Sequence, residues 1–154
     1  KEEVVVWIEM TPTQRTYYKA VLEKRIDLLL QKSYGKTAPA IRNLCMELRK
    51  VCNHPLCCDG IEDNIKARRA EAGSEPYSQV DLLTVTSGKM VLLDKLLPKL
   101  RADGKKVLIF SQFKLQLNVL EDYLVLRGYP LERLDGDTKS ADRQQAIDRF
   151  NNPD

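Results

Sequence analysis

Lys105-Lys106-Val107-Leu108-Ile109-Phe110-Ser111-Gln112-Phe113 is the part of the chain on which the expected architecture turns. Val107–Phe110 is an unbroken apolar run, with the stop residue Gly104 before it and the polar pair Ser111-Gln112 behind it. Helical patterns lie on both sides. A run of this length and setting reads as a strand buried on both faces of a parallel sheet. Ligands of open α/β sheets gather beyond the carboxyl ends of such strands. Ser111 and Gln112 occupy that end, so they are the first candidates for a binding role.

Outward from this run, the segment from residue 87 reads helix, strand, helix, strand, helix. Ser87 is placed to cap the first helix, with Met90, Leu93, Leu97 and Leu100 as its stripe and Pro98 predicting a kink or local break. After the 106–110 strand, Phe113, Leu117, Leu120 and Leu124 share a helical face that runs to Gly128. Tyr129–Leu134 is the second expected strand, Asp135-Gly136-Asp137-Thr138 a turn, and Ser140 the cap of a last helix carrying Ala146, Ile147 and Phe150. Connections of this length favour right-handed βαβ crossovers and parallel strands. The expected fold class is therefore α/β, a partial parallel sheet with a helical amino-terminal half.

In that half, Val4-Val5-Val6-Trp7-Ile8 reads as a further strand. Thr11, Pro12 and Gln14 form a capping box at a helix start. Tyr18, Leu22, Ile26 and Leu29 make that helix's stripe, and Ser33-Tyr34-Gly35 its end. A second helix opens at Pro39, with Ile41, Leu44, Cys45, Leu48 and Cys52 as its stripe, and Asn53-His54-Pro55 stops it. Ile61 and Ile65 suggest a short helix, Gly73-Ser74-Glu75-Pro76 an exposed loop, and Gln79–Val85 either a helical turn or a strand.

Composition bounds the class. The chain has 154 residues, 43 % hydrophobic and 31 % charged, with a formal net charge of +3. That supports one ordinary domain with a real core. The basic excess is small and the signs are interleaved, so charge alone does not select nucleic acid as a partner. No apolar run approaches a membrane span, and no membrane partner is expected. The four cysteines, Cys45, Cys52, Cys57 and Cys58, crowd into one short stretch, unlike a disulfide scaffold. They read as reduced thiols. The first residue is Lys1, so the chain is expected to be cut from something longer.

Several motifs have a plainer reading beside the functional one. Gly35-Lys36-Thr37 and Ser87-Gly88-Lys89 look like the tail of a phosphate-binding loop, but Leu30 and Leu83 stand where that loop needs glycine. A helix stop and a helix start are the better readings. Cys52, His54, Cys57 and Cys58 are soft ligands at spacings too tight to wrap a zinc ion, and no metal site is expected. His54 reads as a hydrogen-bonding residue at a helix end. The Asp135–Thr138 turn with Arg143 offers donors that suit a backbone phosphate. It is equally a βα turn with Arg143 paired to a carboxylate, and chemistry alone leaves both open.

Together these residues resemble a known family. Leu48-Arg49-Lys50-Val51-Cys52-Asn53-His54-Pro55 resembles a signature of the Snf2-type chromatin-remodelling ATPases. Ser87-Gly88-Lys89, its apolar helix and Val107–Gln112 look like that family's entry into its second RecA-like lobe. Arg133-Leu134-Asp135-Gly136 with Thr138, Arg143-Gln144 and Ile147–Asn151 look like the next motif of the lobe. Order and spacing match along nearly the whole chain. Glu121-Asp122-Tyr123 and Gly60-Ile61-Glu62-Asp63 lean toward the chromodomain-helicase-DNA-binding subfamily. Leu56-Cys57-Cys58 departs from the pattern, where a larger residue after the proline is usual.

The resemblance implies a nuclear motor that uses ATP and Mg2+ to move along duplex DNA and shift nucleosomes. It implies residues 1–86 as the amino-terminal strand and family-specific helical part of lobe two. Residues 87–154 would be the first βαβα part of the RecA-like, helicase C-terminal lobe. The nucleotide loop and magnesium motif of lobe one are not in this sequence, so no bound cofactor and no ATP hydrolysis are expected of this polypeptide alone. Ser111, Gln112 and Thr138 would face the DNA backbone, with Lys89 and Arg143 as further candidates. Expected partners are duplex DNA, the nucleosome and its histones, and the first lobe, with self-association through an uncovered sheet face. Two alternatives stay open: a non-enzymatic nucleic-acid or protein docking module derived from a helicase lobe, and a zinc module around Cys52–Cys58.

Overall fold

The capping box at Thr11 starts the folded part of the chain. The Thr11 hydroxyl accepts from the Gln14 N–H and the Gln14 amide oxygen accepts from the Thr11 N–H, both at 3.1 Å. Helix α1 follows as Pro12–Leu30. The computed structural model describes residues 2–30 and 37–152, with side chains described outside 24–42. The expectations for Ile26, Leu29, Ile41 and Ser33-Tyr34-Gly35 lie outside those residues.

Helix α2, Thr37–Asn53, packs along α1. Within its expected stripe Leu44 is buried, while Cys45 is exposed. A 3-10 turn, Pro55–Cys57, follows at the stop expected from Asn53-His54-Pro55. Helix α3 is Ile61–Glu71, with Ile61 and Ile65 buried. Gln79–Val85 is helical, α4, because the Ser78 hydroxyl accepts from the Asp81 N–H at 3.1 Å and caps it. Val51, Cys58, Ile61, Ile65 and Leu82 form one apolar core, with Tyr17, Tyr18, Val21, Leu56 and Tyr77 packed against it.

Helix α5, Gly88–Ala102, runs through Pro98 without the expected break. Proline removes one helical hydrogen bond; the bonds on either side, together with burial of Met90 and Leu97, carry the helix across. It closes at Gly104, whose φ of 64° is the left-handed conformation glycine tolerates best. The Lys105 N–H reaches the Leu100 carbonyl at 2.8 Å and the Gly104 N–H reaches Arg101, a Schellman closure.

The sheet is the main correction. Among the described residues no segment is a strand. Residues 4–8, 105–110 and 129–134 are non-helical, without a hydrogen-bonded ladder. Val107 and Ile109 are half-buried, while Leu108 is 68 % and Phe110 89 % exposed. The run is thus covered on one face, not two. A strand is a property of a pair of segments, and an apolar β-branched sequence supplies only one side of it. The same holds for Val4–Ile8, where Trp7 is 93 % exposed.

By contacts the chain divides into two compact units, Lys1–Ile109 and Phe110–Asp154. In the second, α6 is Lys114–Leu126 and α7 is Ser140–Asn151. Val119, Leu120 and Tyr123 bury the inner face of α6, and Ala146 is buried on α7. Ser140 is the first helical residue of α7, and Lys139 holds the cap position expected for it.

Candidate nucleic-acid interface

The proposed contact residues fall in both units. Lys89 belongs to the first, and Ser111, Gln112, Thr138 and Arg143 to the second.

In the first unit, Ser87-Gly88-Lys89 is tied into a buried polar hub. The Gln14 amide oxygen accepts from the Gly88 N–H at 3.0 Å, and its NH2 donates to the carbonyls of Val51 and Cys52 at 2.9 and 3.2 Å. The Thr11 hydroxyl donates to the Thr86 carbonyl at 2.9 Å. Ser87 begins α5, but its side chain makes no cap bond; its hydroxyl donates instead to the Asn53 carbonyl at 2.8 Å. Gly88 is required here, because a Cβ would come within 2.2 Å of the Glu9 carbonyl oxygen. The Gly88 N–H is therefore spent inside the fold, as the helix-start reading requires. Lys89 is exposed and donates to the Asn53 side-chain oxygen at 2.5 Å.

His54 belongs to the same hub. Its Nδ1 accepts from the Leu56 N–H at 3.1 Å, so its Nε2 carries the proton and donates to the Leu83 carbonyl at 2.9 Å. Burial lowers its pKa to about 4, and the bond to Leu83 opposes that shift. Both ring nitrogens are committed, so the ring is a structural strut. Burial pushes the Cys57 and Cys58 thiols up to about 11. The fold thus holds both thiols protonated. Among the described residues no cluster of His, Cys, Asp or Glu has metal-binding geometry.

In the second unit, the 135–138 turn is held from every side. The Asp135 N–H donates to the Thr138 hydroxyl at 3.0 Å, and the Asp137 N–H donates to Asp135 Oδ1 at 2.9 Å. Arg133 donates twice to Asp135 Oδ2, at 3.1 and 2.8 Å, and once to Glu121 on α6 at 2.5 Å. The hydrogen bond to Glu121 is the main reason the Arg133 guanidinium holds its proton more tightly than usual. Arg143 Nε donates to the Thr138 carbonyl at 3.0 Å, and its NH2 to the Asp135 carbonyl at 2.8 Å. Arg143 thus clamps the turn through carbonyls, where the plainer of the two readings paired it with a carboxylate.

Ser111 lies half-buried, its hydroxyl accepting from the Phe113 N–H at 3.1 Å. Gln112 is exposed beside it. The next residue but one, Lys114, forms an ion pair with Asp137 and joins the start of α6 to the turn. The structure therefore brings Thr138 and Arg143 together. It adds Lys114, which sequence reading missed, since its partner lies 23 residues away.

Residues 88–154 match the helicase conserved C-terminal domain. The whole chain is 47 % identical over 156 residues to Chromodomain-helicase-DNA-binding protein 8 of Xenopus tropicalis. It is 45 % identical to Chromodomain-helicase-DNA-binding protein 7 of Homo sapiens and to protein 6 of Mus musculus. The chain spans only 7 %, 5 % and 6 % of those three relatives' length. The Sulfolobus solfataricus SWI2/SNF2 ATPase core, solved in complex with dsDNA, aligns over 96 % of this chain and 28 % of its own. Its TM-score is 0.72 at 21 % identity, a likeness of fold.

The fold is that of a helicase C-terminal, Snf2-type core lobe. Within that class it is a Snf2-type segment, similar along its whole length to the chromodomain-helicase-DNA-binding proteins.

Proposed function

We propose that this chain is part of the ATP-dependent DNA-translocating motor of a Snf2-type remodeller and contributes contacts to the duplex-DNA backbone. The observation that carries the reading is the likeness of the entire chain, at 45–47 % identity, to chromodomain-helicase-DNA-binding proteins. The dsDNA complex of the structural neighbour supports the choice of ligand. Ser111, Gln112 and Thr138 supply the contacts, with Arg143 holding the turn in shape. Lys89 is a second, separate cation. Contacts to phosphate position a motor without reading base sequence.

ATP and Mg2+ belong to the full motor, and so do the nucleosome, the first lobe and the nuclear setting. The match that begins at residue 88 supports a division into 1–86, a family-specific part, and 87–154, the start of the helicase lobe. The parent protein should hydrolyse ATP faster when duplex DNA is added. An ATPase rate indifferent to DNA contradicts the proposal.

The exposed apolar segments support a further partner, a second copy of the chain. Val4 to Trp7, Leu108 and Phe110 present apolar side chains on backbone outside any ladder. Light scattering should give a mass that rises with concentration; a constant monomer mass contradicts self-association.

A further inference from the structure

The cations of the second unit are not equivalent. Arg133 is engaged by two carboxylates and is 22 % exposed at its side chain. Arg149 is bidentate to Glu132, at 2.6 and 2.9 Å. Arg143 spends two donors on backbone carbonyls. Lys114 differs in that both partners of its ion pair are open: its side chain is 56 % and that of Asp137 76 % exposed, whereas the Glu132 side chain that holds Arg149 is 27 % exposed. The Asp137 carboxylate carries none of the turn's own hydrogen bonds in this geometry. The turn is built through the Asp137 N–H and through Asp135 and Thr138. An exposed ion pair is worth at most about 1 kcal/mol, so either partner can be exchanged.

From this geometry we propose that Lys114 is the exchangeable phosphate-contacting cation of the interface and that Asp137 is its resident competitor. In the free chain the Asp137 carboxylate occupies the ammonium. A backbone phosphate, also an oxyanion acceptor, displaces it, and Lys114 turns from the loop to the DNA. Asp137 thereby weakens binding in two ways: it holds the lysine, and it presents a like charge to the phosphate. No bond is made or broken beyond the exchange of ionic partners. Arg143 is excluded from this role, since freeing it would undo the turn. The inference rests on the duplex-DNA reading above.

The test is a double-substitution cycle on the full 154-residue chain. Binding to a fluorescein-labelled duplex of arbitrary sequence is read by anisotropy at several salt concentrations. Lys114→Ala should weaken binding about fivefold and lower the salt slope by about one phosphate contact. Asp137→Asn, which keeps the shape of the side chain, should tighten binding about threefold at low salt. In the Lys114→Ala background the same Asp137→Asn change should give clearly less than that gain. Glu71→Gln, an equal change of net charge on α3, should leave affinity unchanged. An equal gain from Asp137→Asn with and without Lys114 overturns the exchange and leaves a simple charge effect. No gain at all also overturns it. If the unsubstituted chain shows no salt-sensitive duplex binding, the duplex-DNA reading itself falls, and the exchange with it.

Discussion

The Gln14 amide oxygen accepts a hydrogen bond from the Gly88 N–H across 74 residues of chain, at 3.0 Å. With the bonds from Gln14 to Val51 and Cys52, it ties the starts of α1 and α5 to the end of α2. Gln14 is 1 % exposed, so water cannot replace these bonds if the side chain is lost. Gln14→Ala leaves the Gly88 donor and the Val51 acceptor unsatisfied and should cost about 2–4 kcal/mol. Gln14→Glu keeps the acceptor but loses the donor and adds a buried charge, so it should be at least as harmful. Chemical denaturation of the two variants checks this. Wild-type stability in either would contradict the hub.

His54 makes stability depend on pH. Its folded pKa, about 4, lies below its unfolded value of 6.5, so the folded state disfavours the charged ring. The contribution is complete above pH 6.5 and is lost as pH falls toward 4. A shift of this size corresponds to about 3 kcal/mol. Urea midpoints measured from pH 7.5 to 4.5 should fall accordingly, and His54→Gln should flatten the part of the curve below 6.5. An unchanged curve in the variant would assign the dependence to carboxylates.

The cysteines should separate by reactivity. Cys45 is exposed, whereas Cys57 and Cys58 are buried with pKa values near 11. At pH 8 the two buried thiols should alkylate at least about tenfold more slowly than the exposed Cys45, because burial both shields them and keeps them protonated. Timed iodoacetamide labelling followed by peptide mass spectrometry reads this directly. Equal rates at all four cysteines would mean that the core around the 3-10 turn opens readily.

Arg133 bridges Glu121 on α6 and Asp135 in the turn. Arg133→Ala leaves a carboxylate that is only 12 % exposed without its fork of donors. The loss should be about 1–2 kcal/mol. Arg133→Lys should recover little, because an ammonium cannot span both acceptors as a planar fork does. Hydrogen exchange at the amides of Asp135, Asp137 and Thr138 should rise in both variants. Protection unchanged in both would show that the turn holds its shape without the bridge.

Local rules carried far in this chain. The capping box at Thr11 and Gln14 was legible because both partners lie within one helical turn. The stop at His54 and the closure at Gly104 were legible for the same reason. His54 at a helix end follows from Pro55, although its two partners do not. Apart from the break expected at Pro98 and the cap expected at Ser140, the failures are nonlocal. Val107–Phe110 has the composition of a buried strand, but pairing depends on a second segment that composition does not name. Ser87 stands at a cap position, yet its hydroxyl is drawn to Asn53 on another helix. Cys45 fits a helical stripe by spacing, while the packing of α2 leaves it outside. In the second unit, the turn at 135–138 and the nearness of Arg143 to it were legible from local spacing. The ion pair of Lys114 was hidden because its partner Asp137 is brought close only by folding.

Every contact proposed for this chain goes to the duplex-DNA backbone and none to a base edge. The direct measurement is affinity for two unrelated duplexes of equal length across a salt series. Equal affinities for the two are expected, with a linear fall of log K with log salt whose slope is set by the few phosphates engaged. Affinity that ignores salt, or that separates the two sequences, would contradict it.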